Sequence, residues 1–388
     1  MQVLKNGTVF PMDGGPAFVG DILIEAGKIK GVGESLSAPG AEELDCTGKF
    51  VLPGFIDPHC HVGMWEDGMG EEGADGNECS DPITPHMRAI DGLNPYDRCF
   101  QEACAAGITT VLTGPGSSNV IGGQFAALKT AGNSLEEMVL KAPAAMKAAL
   151  GENPKREYGD QKVTPYTRMA IASLFRKTMV DVQEYGKKIE LANGDPEKLP
   201  DRDVGLEALL PVLSGELILK VHAHRADDIQ TALRLAREFQ LHITIEHCTE
   251  GHLMLDVLRE QAQALGAGII LGPLLSDRAK IELKNLSFKA PKLLYDAGIP
   301  FAMMTDHPVT PIQYLPVCAA LAVREGLPEE EALKSITIHA ANITGIGDRV
   351  GSIEPGKDAN IAIFDGNPLE FRTHCVRTLI DGRTVFAL

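Results

Sequence analysis

Residues 53–61 read Pro53-Gly54-Phe55-Ile56-Asp57-Pro58-His59-Cys60-His61. An apolar run closes on two histidines at i and i+2, which project from one face of an extended chain, so both imidazoles can reach one cation. A lone His-x-His is as readily coincidence, but the pattern returns further along. Expected strands at 217–222, 242–247 and 300–306 end on His222, His247 and Asp306. A further apolar, β-branched run at 268–275 reads as a strand, and helical patterns fall between these at 226–239, 253–265 and 289–296. A later helix opens on Pro328, Glu329, Glu330 and Glu331, residues that suit the positive end of a helix dipole. Such alternation predicts a parallel sheet, as a barrel or an open sheet. Ligand placement separates the two. In a parallel barrel all the strands end on one face, where catalytic residues collect.

The two ends of the chain have a different texture. Short β-type runs at 1–5, 8–10, 21–25, 28–32 and 50–52 are separated by turns at Asn6-Gly7, Asp13-Gly14-Gly15, Ala26-Gly27 and Gly48. The runs 360–364 and 376–380, with turns at Asp365-Gly366 and Asp381-Gly382, repeat it. Residues 1–50 and 349–388 are therefore expected to form one small sheet domain built from both termini, and 51–348 has about the usual size of a (β/α)₈ barrel with insertions. Length alone, at ~150 residues per domain, suggests two or three domains in series for 388 residues.

Composition narrows the function. With 36 basic and 53 acidic residues the net charge is −17, which repels nucleic-acid backbones and anionic membranes. Aromatic residues, at 5%, are too few for base-stacking platforms. Eight cysteines occur without any Cys-x-x-Cys pair, which suits neither a disulfide scaffold nor a structural zinc site. No signal-peptide pattern or bilayer-length apolar run appears, and a cytoplasmic location is expected.

The stretch 53–61, His222-Ala223-His224, Ile245-Glu246-His247, Thr305-Asp306-His307 and the closing Gly351-Ser352-Ile353-Glu354-Pro355-Gly356-Lys357-Asp358-Ala359-Asn360 together resemble the amidohydrolase superfamily, closest to its imidazolonepropionase-like branch, which also holds prolidase-like dipeptidases. The resemblance spans nearly the whole chain. It implies a metal-dependent (β/α)₈ TIM barrel over 51–348, carrying a small β-sandwich made from both chain ends (1–50 and 349–388). In it His59 and His61 bind a first divalent metal, most simply Zn²⁺ with Fe or Mn as alternatives. His222 is implied as a ligand in a one- or two-metal form, His247 as a second-metal ligand or a hydrogen-bonding partner of substrate, and Asp306 as ligand and general base. Two-metal relatives use a bridging carbamylated lysine or a glutamate from the fourth strand. Lys147, in the apolar run 144–150, fits that place if the run is a strand, whereas a surface helix over 138–150 would leave it solvated. Glu152 is the second candidate.

The implied activity is hydrolysis of a C–N bond in a cyclic or linear amide of a small molecule, by an enzyme that can be a homo-oligomer. A prolidase-like dipeptidase and a ring-amidine deaminase are the alternatives. A non-catalytic scaffold of the same fold is disfavoured because the ligand set is present. On the substrate side, His224, His307 and Arg225 are candidates, with Arg156 and Arg168 as further carboxylate clamps. Lys220 shares a strand face with His222 and His224 and reads as a substrate contact or an ion-pair partner. The loop 62–95 carries Glu66, Asp67, Glu71, Glu72, Asp75, Glu78 and Asp81, and is either a charged lid or a solvated run. The glycine-rich stretch 114–123 lacks a phosphate-loop signature and is expected to be a turn at the barrel mouth. His86, His252, His339 and His374 have no matching partners in the sequence.

Overall fold

The structure, a computed structural model, describes residues 1–388. The first fifty-three residues lay down β1 (Gln2–Val9), β2 (Phe18–Glu25), β3 (Lys28–Gly33), β4 (Glu42–Asp45) and β5 (Phe50–Pro53). The barrel strands follow as β6 (Phe55–Cys60), β7 (Ile108–Thr113), β8 (Ile121–Lys129), β9 (Val139–Ala149), β10 (Ile218–Ala223), β11 (Ile243–His247), β12 (Gly268–Leu271) and β13 (Ala302–Met303). The chain returns to the first sheet with β14 (Ile361–Phe364), β15 (Cys375–Ile380) and β16 (Arg383–Ala387).

The two chain ends join in one eight-stranded sheet, because β14 pairs antiparallel with β5 on one side and β15 on the other. The single strand β1 replaces the two short runs expected there. A bulge between Leu4 and Gly7 lets its first half pair with β4 and its second half with β5. Gly7 is required at that bend, since a Cβ there would lie 2.6 Å from Val51 Cγ2. Leu4, Ile22, Ile24, Val51, Ile361 and Leu379 fill the core of this sheet.

Asp358, in the closing Gly-Lys-Asp-Ala-Asn stretch, fastens this sheet to the barrel. Its carboxylate is 2% exposed and receives Lys28, Arg349 at 2.6 Å and, from the barrel strand β8, Lys129 at 3.3 Å. Burial would raise its pKa, but Arg349, Lys28 and Lys129 outweigh that and hold it below the usual carboxylate range. A lowered folded pKa contributes stability above the unfolded value and loses it as pH falls through the folded one. Asp358→Asn is expected to cost about 1–3 kcal/mol at pH 7 by urea unfolding and to flatten the acid limb of the stability profile. A wild-type midpoint at pH 7 contradicts this fastening.

The second sheet is a nearly closed barrel running from β6 to β13. Seven strands are parallel, but β8 is antiparallel to both β7 and β9, which differs from the uniform alternation expected. The cause is connection length. A parallel crossover needs a dozen or more residues, and only the glycine-rich turn 114–120 separates β7 from β8. The chain therefore doubles back, and the first residues of β8 rather than its last lie at the ligand end. Ile56, Leu112, Phe125, Ala145, Ile218, Ile270 and Met304 fill the barrel interior, and the helix Ile338–Ile343 packs Ala340 and Ala341 against them.

The last strand meets the first through the ligand segments themselves. The Asp306 amide donates to the His59 carbonyl (3.2 Å) and the His61 amide to the His307 carbonyl (2.9 Å). Asp57 accepts from the Thr305 amide (3.1 Å) and hydroxyl (2.5 Å). No helix is long and apolar enough to cross a membrane.

Candidate metal centre

Strand periodicity aims the site. On β10 Ile218, Lys220 and His222 share the inner face, while Leu219, Val221 and Ala223 pack outward under the helices. On β11 Ile243 and Ile245 face outward, so Thr244 and Glu246 face in, with Glu246 in register with His222. Simple alternation would turn His247 outward. Instead His247 (φ +70°) and Cys248 (φ +48°) adopt left-handed backbone, which carries the imidazole to within 4.3 Å of the His222 ring, centroid to centroid. Asp306, past the end of β13, is left-handed too (φ +52°). Non-glycine residues in this conformation cost about 1–3 kcal/mol each, and the surrounding packing must enforce them.

The side chains fall into two adjoining groups. In the first, Asp306 Oδ1 lies 3.4 Å from His59 Nε2 and 3.3 Å from His61 Nε2. In the second, donor atoms of His222, His224 and His247 lie within 4.8 Å of one another. The His59 and His247 rings, 5.5 Å apart, join the two.

Four imidazoles are anchored through Nδ1: His59 to Glu246 Oε2 (2.6 Å), His61 to the Gly114 carbonyl (2.7 Å), His247 to the Gly272 carbonyl (2.9 Å) and His224 to the Thr249 hydroxyl (2.8 Å). An obligate acceptor at Nδ1, as at His59, His61 and His247, fixes the tautomer and leaves the Nε2 lone pair free, the arrangement that metal-ligating histidines use. Burial keeps His222, His224 and His247 well below the ordinary imidazole pKa. For Asp306 burial is outweighed by His247, His59 and His61, so its carboxylate stays ionised. Both nitrogens of His222, and Nε2 of His247, are buried without any hydrogen-bond partner. Unpartnered buried donors and acceptors are expensive, and one divalent cation would engage one nitrogen of His222 together with His247 Nε2. The residues present fit a metal.

Lys147 sits on strand β9 rather than on a surface helix, fully buried, with Nζ 3.2 Å from His59 Nε2. Burial pushes its pKa down to about 8. Its register neighbour Lys220 pairs with Glu246 at 3.0 Å and donates to the Pro58 carbonyl, which settles Lys220 as an ion-pair partner. Glu246 also takes the Thr244 hydroxyl. Burial would raise the Glu246 pKa, but Lys220 and His59 hold it at about 2. The period-2 pattern of 243–246 is the sequence signal that turns Glu246 inward with Thr244.

Other sequence candidates lie elsewhere. Arg225 is half-exposed and its guanidinium forks onto Asp227 at 2.9 and 3.0 Å, so it does not join the histidines. Arg168 likewise forks onto Asp228, and Arg156 is exposed. Glu152 opens the helix Glu152–Asp160 outside both ligand groups. His307 is buried, and its Nδ1 accepts from the Ile312 amide. In the loop 62–95 Glu71, Glu72, Asp75, Glu78 and Asp81 are exposed, and it is Trp65 that reaches the site, edge-on to His61 at 4.8 Å. Glu282, in the segment after β12, was not visible in the sequence as a site residue; its carboxylate is 1% exposed and lies beside His222 and His224.

The amidohydrolase family model matches residues 195–386, which include His222, His224, His247 and Asp306. The solved structure of an amidohydrolase from Thermotoga maritima MSB8 superposes with a TM-score of 0.96 at 44% identity, covering 100% of both chains. The chain belongs to the amidohydrolase family. This amidohydrolase is also 31% identical, over 95% of its length, to a protein called amidohydrolase tasK from Hapsidospora irregularis, of which it spans 40%. It is 26% identical to an imidazolonepropionase from Paracoccus denitrificans, with 94% of each chain covered. The family is one of metal-dependent hydrolases that act on small molecules, and the two histidine groups are where a metal could sit in this chain.

Proposed function

We propose that this amidohydrolase breaks a C–N bond in a small cyclic or linear amide, with Asp306 as general base and His247 as its catalytic neighbour. The observation that carries the reading is the exposure of Asp306. Its side chain is 14% exposed, against 0% for His59 and 7% for His61, so within the first group it is the member that solvent reaches most readily. His59, His61 and Asp306 would hold one divalent cation, and His222 with His247 a second. Bound there, a cation such as Zn²⁺, with Fe or Mn as alternatives, supplies polarisation of the amide and acidification of water.

The chain's own residues do the rest. Asp306 takes a proton from the attacking water and returns it to the departing nitrogen, so a C–N bond is exchanged for C–O and N–H bonds with no oxidant or reductant. His247, held by Gly272, presents its unpaired Nε2 to a second cation or to the substrate. His224 and His307 are the remaining substrate-side candidates. Lys147, beside His59, is the residue we assign to link the two groups, its amine condensing with carbon dioxide to an anionic carbamate with loss of one proton.

The test is reconstitution. Chelator-stripped protein is reloaded with Zn²⁺, with and without bicarbonate, and assayed against lactams, cyclic ureas, N-acyl amino acids, dipeptides and ring amidines. Activity is expected only after loading, more fully with bicarbonate, with a new carboxylate formed and no ammonia released. Full activity in the stripped protein defeats the metal reading. Release of ammonia replaces amide hydrolysis with deamination.

A further inference from the structure

The second histidine group has one more donor than the reading above uses. Glu282 lies in the segment between β12 and the helix Ala290–Asp296, on a short turn of helix at Ile281–Leu283. Its Oε1 is 3.6 Å from His222 Nε2 and 3.6 Å from His224 Nε2. Donors around a tetrahedral Zn²⁺, at bonds of about 2.0–2.2 Å, are separated by about 3.3–3.6 Å. The carboxylate is already at ligand spacing from both imidazoles.

Nothing else in the surroundings accounts for that oxygen. Glu282 Oε1 is buried without a hydrogen-bond partner, like both nitrogens of His222. Its other oxygen is held by the Glu152 amide at 3.2 Å, which fixes the direction of Oε1. The nearest ammonium, Lys280, is 3.9 Å away and donates instead to Asn153 Oδ1 at 2.9 Å. A buried carboxylate aimed at two buried imidazoles, with no cation in hydrogen-bonding contact, is costly unless a positive charge lies among them.

We propose that Glu282 is a metal ligand, and that with His222, His224 and His247 it forms a four-donor seat for a divalent cation. The inference rests on the metal-centre reading above and goes beyond it. Four protein donors close the coordination shell of a tetrahedral ion, so this seat is a holding position. Water activation then belongs to the seat of His59, His61 and Asp306. The closed seat keeps its ion without Lys147, whose carbamate then serves the seat of His59, His61 and Asp306 alone and replaces the link proposed above.

Cobalt titration tests this on the full-length protein. Stripped wild type, Glu282→Gln and Lys147→Ala are titrated with Co²⁺, reading bound metal by elemental analysis and the visible ligand-field bands, which are intense for four-coordinate and weak for six-coordinate ions. Removing an outer-shell partner of a metal ligand costs about 10–100-fold in affinity. Loss of a direct ligand in Glu282→Gln is expected to exceed that for one equivalent, with loss of the intense bands, while Lys147→Ala retains both. Wild-type affinity and spectrum in folded Glu282→Gln overturn the proposal, whereas a wild type that binds no metal overturns the metal centre as a whole. If Glu282→Gln fails to fold, the stoichiometry of Lys147→Ala decides: two tightly bound equivalents support the closed seat, and a single equivalent refutes it.

Discussion

Asp306→Asn is expected to lower kcat by about 10²–10⁴-fold on any amide the wild type hydrolyses, with bound metal close to the wild-type content. Asparagine keeps an oxygen where Asp306 Oδ1 faces His59 and His61 at 3.4 and 3.3 Å, so the donor is preserved. What it loses is the capacity to accept a proton, and with it the transfer from water to the leaving nitrogen. The effect should therefore appear in kcat more than in KM. Metal analysis on the same preparation separates loss of the base from loss of the ion. A variant with full metal and full activity ends the assignment of Asp306 as general base.

The second large effect is expected at Glu246, which touches no reacting atom. Its carboxylate is 0% exposed and holds the Lys220 ammonium at 3.0 Å and His59 Nδ1 at 2.6 Å. Glu246→Ala leaves Lys220 buried and uncompensated, which costs about 3–5 kcal/mol. It also frees the His59 ring to change tautomer, and metal affinity should fall about 10–100-fold. Glu246→Gln, which keeps the shape and one acceptor, should recover part of the metal affinity but little of the stability. Urea unfolding with a metal titration on each variant checks both arms. Wild-type stability in Glu246→Ala would show that Lys220 finds another partner and that the network is not what holds His59.

Much of this was legible in the sequence because strands report their ends. His59, His61, His222, His247 and Asp306 stand where short apolar runs stop, and all five reach the same end of the barrel. What could not be read depended on backbone reversal or on distant partners. β8 hid inside a glycine-rich stretch because turn residues and its first residues overlap at 121–123. His247 reaches the site through left-handed backbone that no residue type there announces. Arg225 follows the His222-Ala223-His224 stretch as a clamp would, but Asp227, two residues on, occupies its guanidinium. Glu282 comes from an irregular segment, where no period links spacing to direction.

The seam that closes the barrel also sets when the site can exist during synthesis. Asp57 and Thr305 lie 248 residues apart, and the seam peptides around them carry His59, His61 and Asp306. A chain still emerging from the ribosome displays His59 and His61 long before their carboxylate partner has been made. Contacts this distant in sequence pay their loop-closure entropy late and form slowly. Ion capture at the proposed first seat would therefore be a terminal event of folding. A truncated or stalled chain carries His59 and His61 without their carboxylate partner, so that seat would not commit early to whichever cation it meets first.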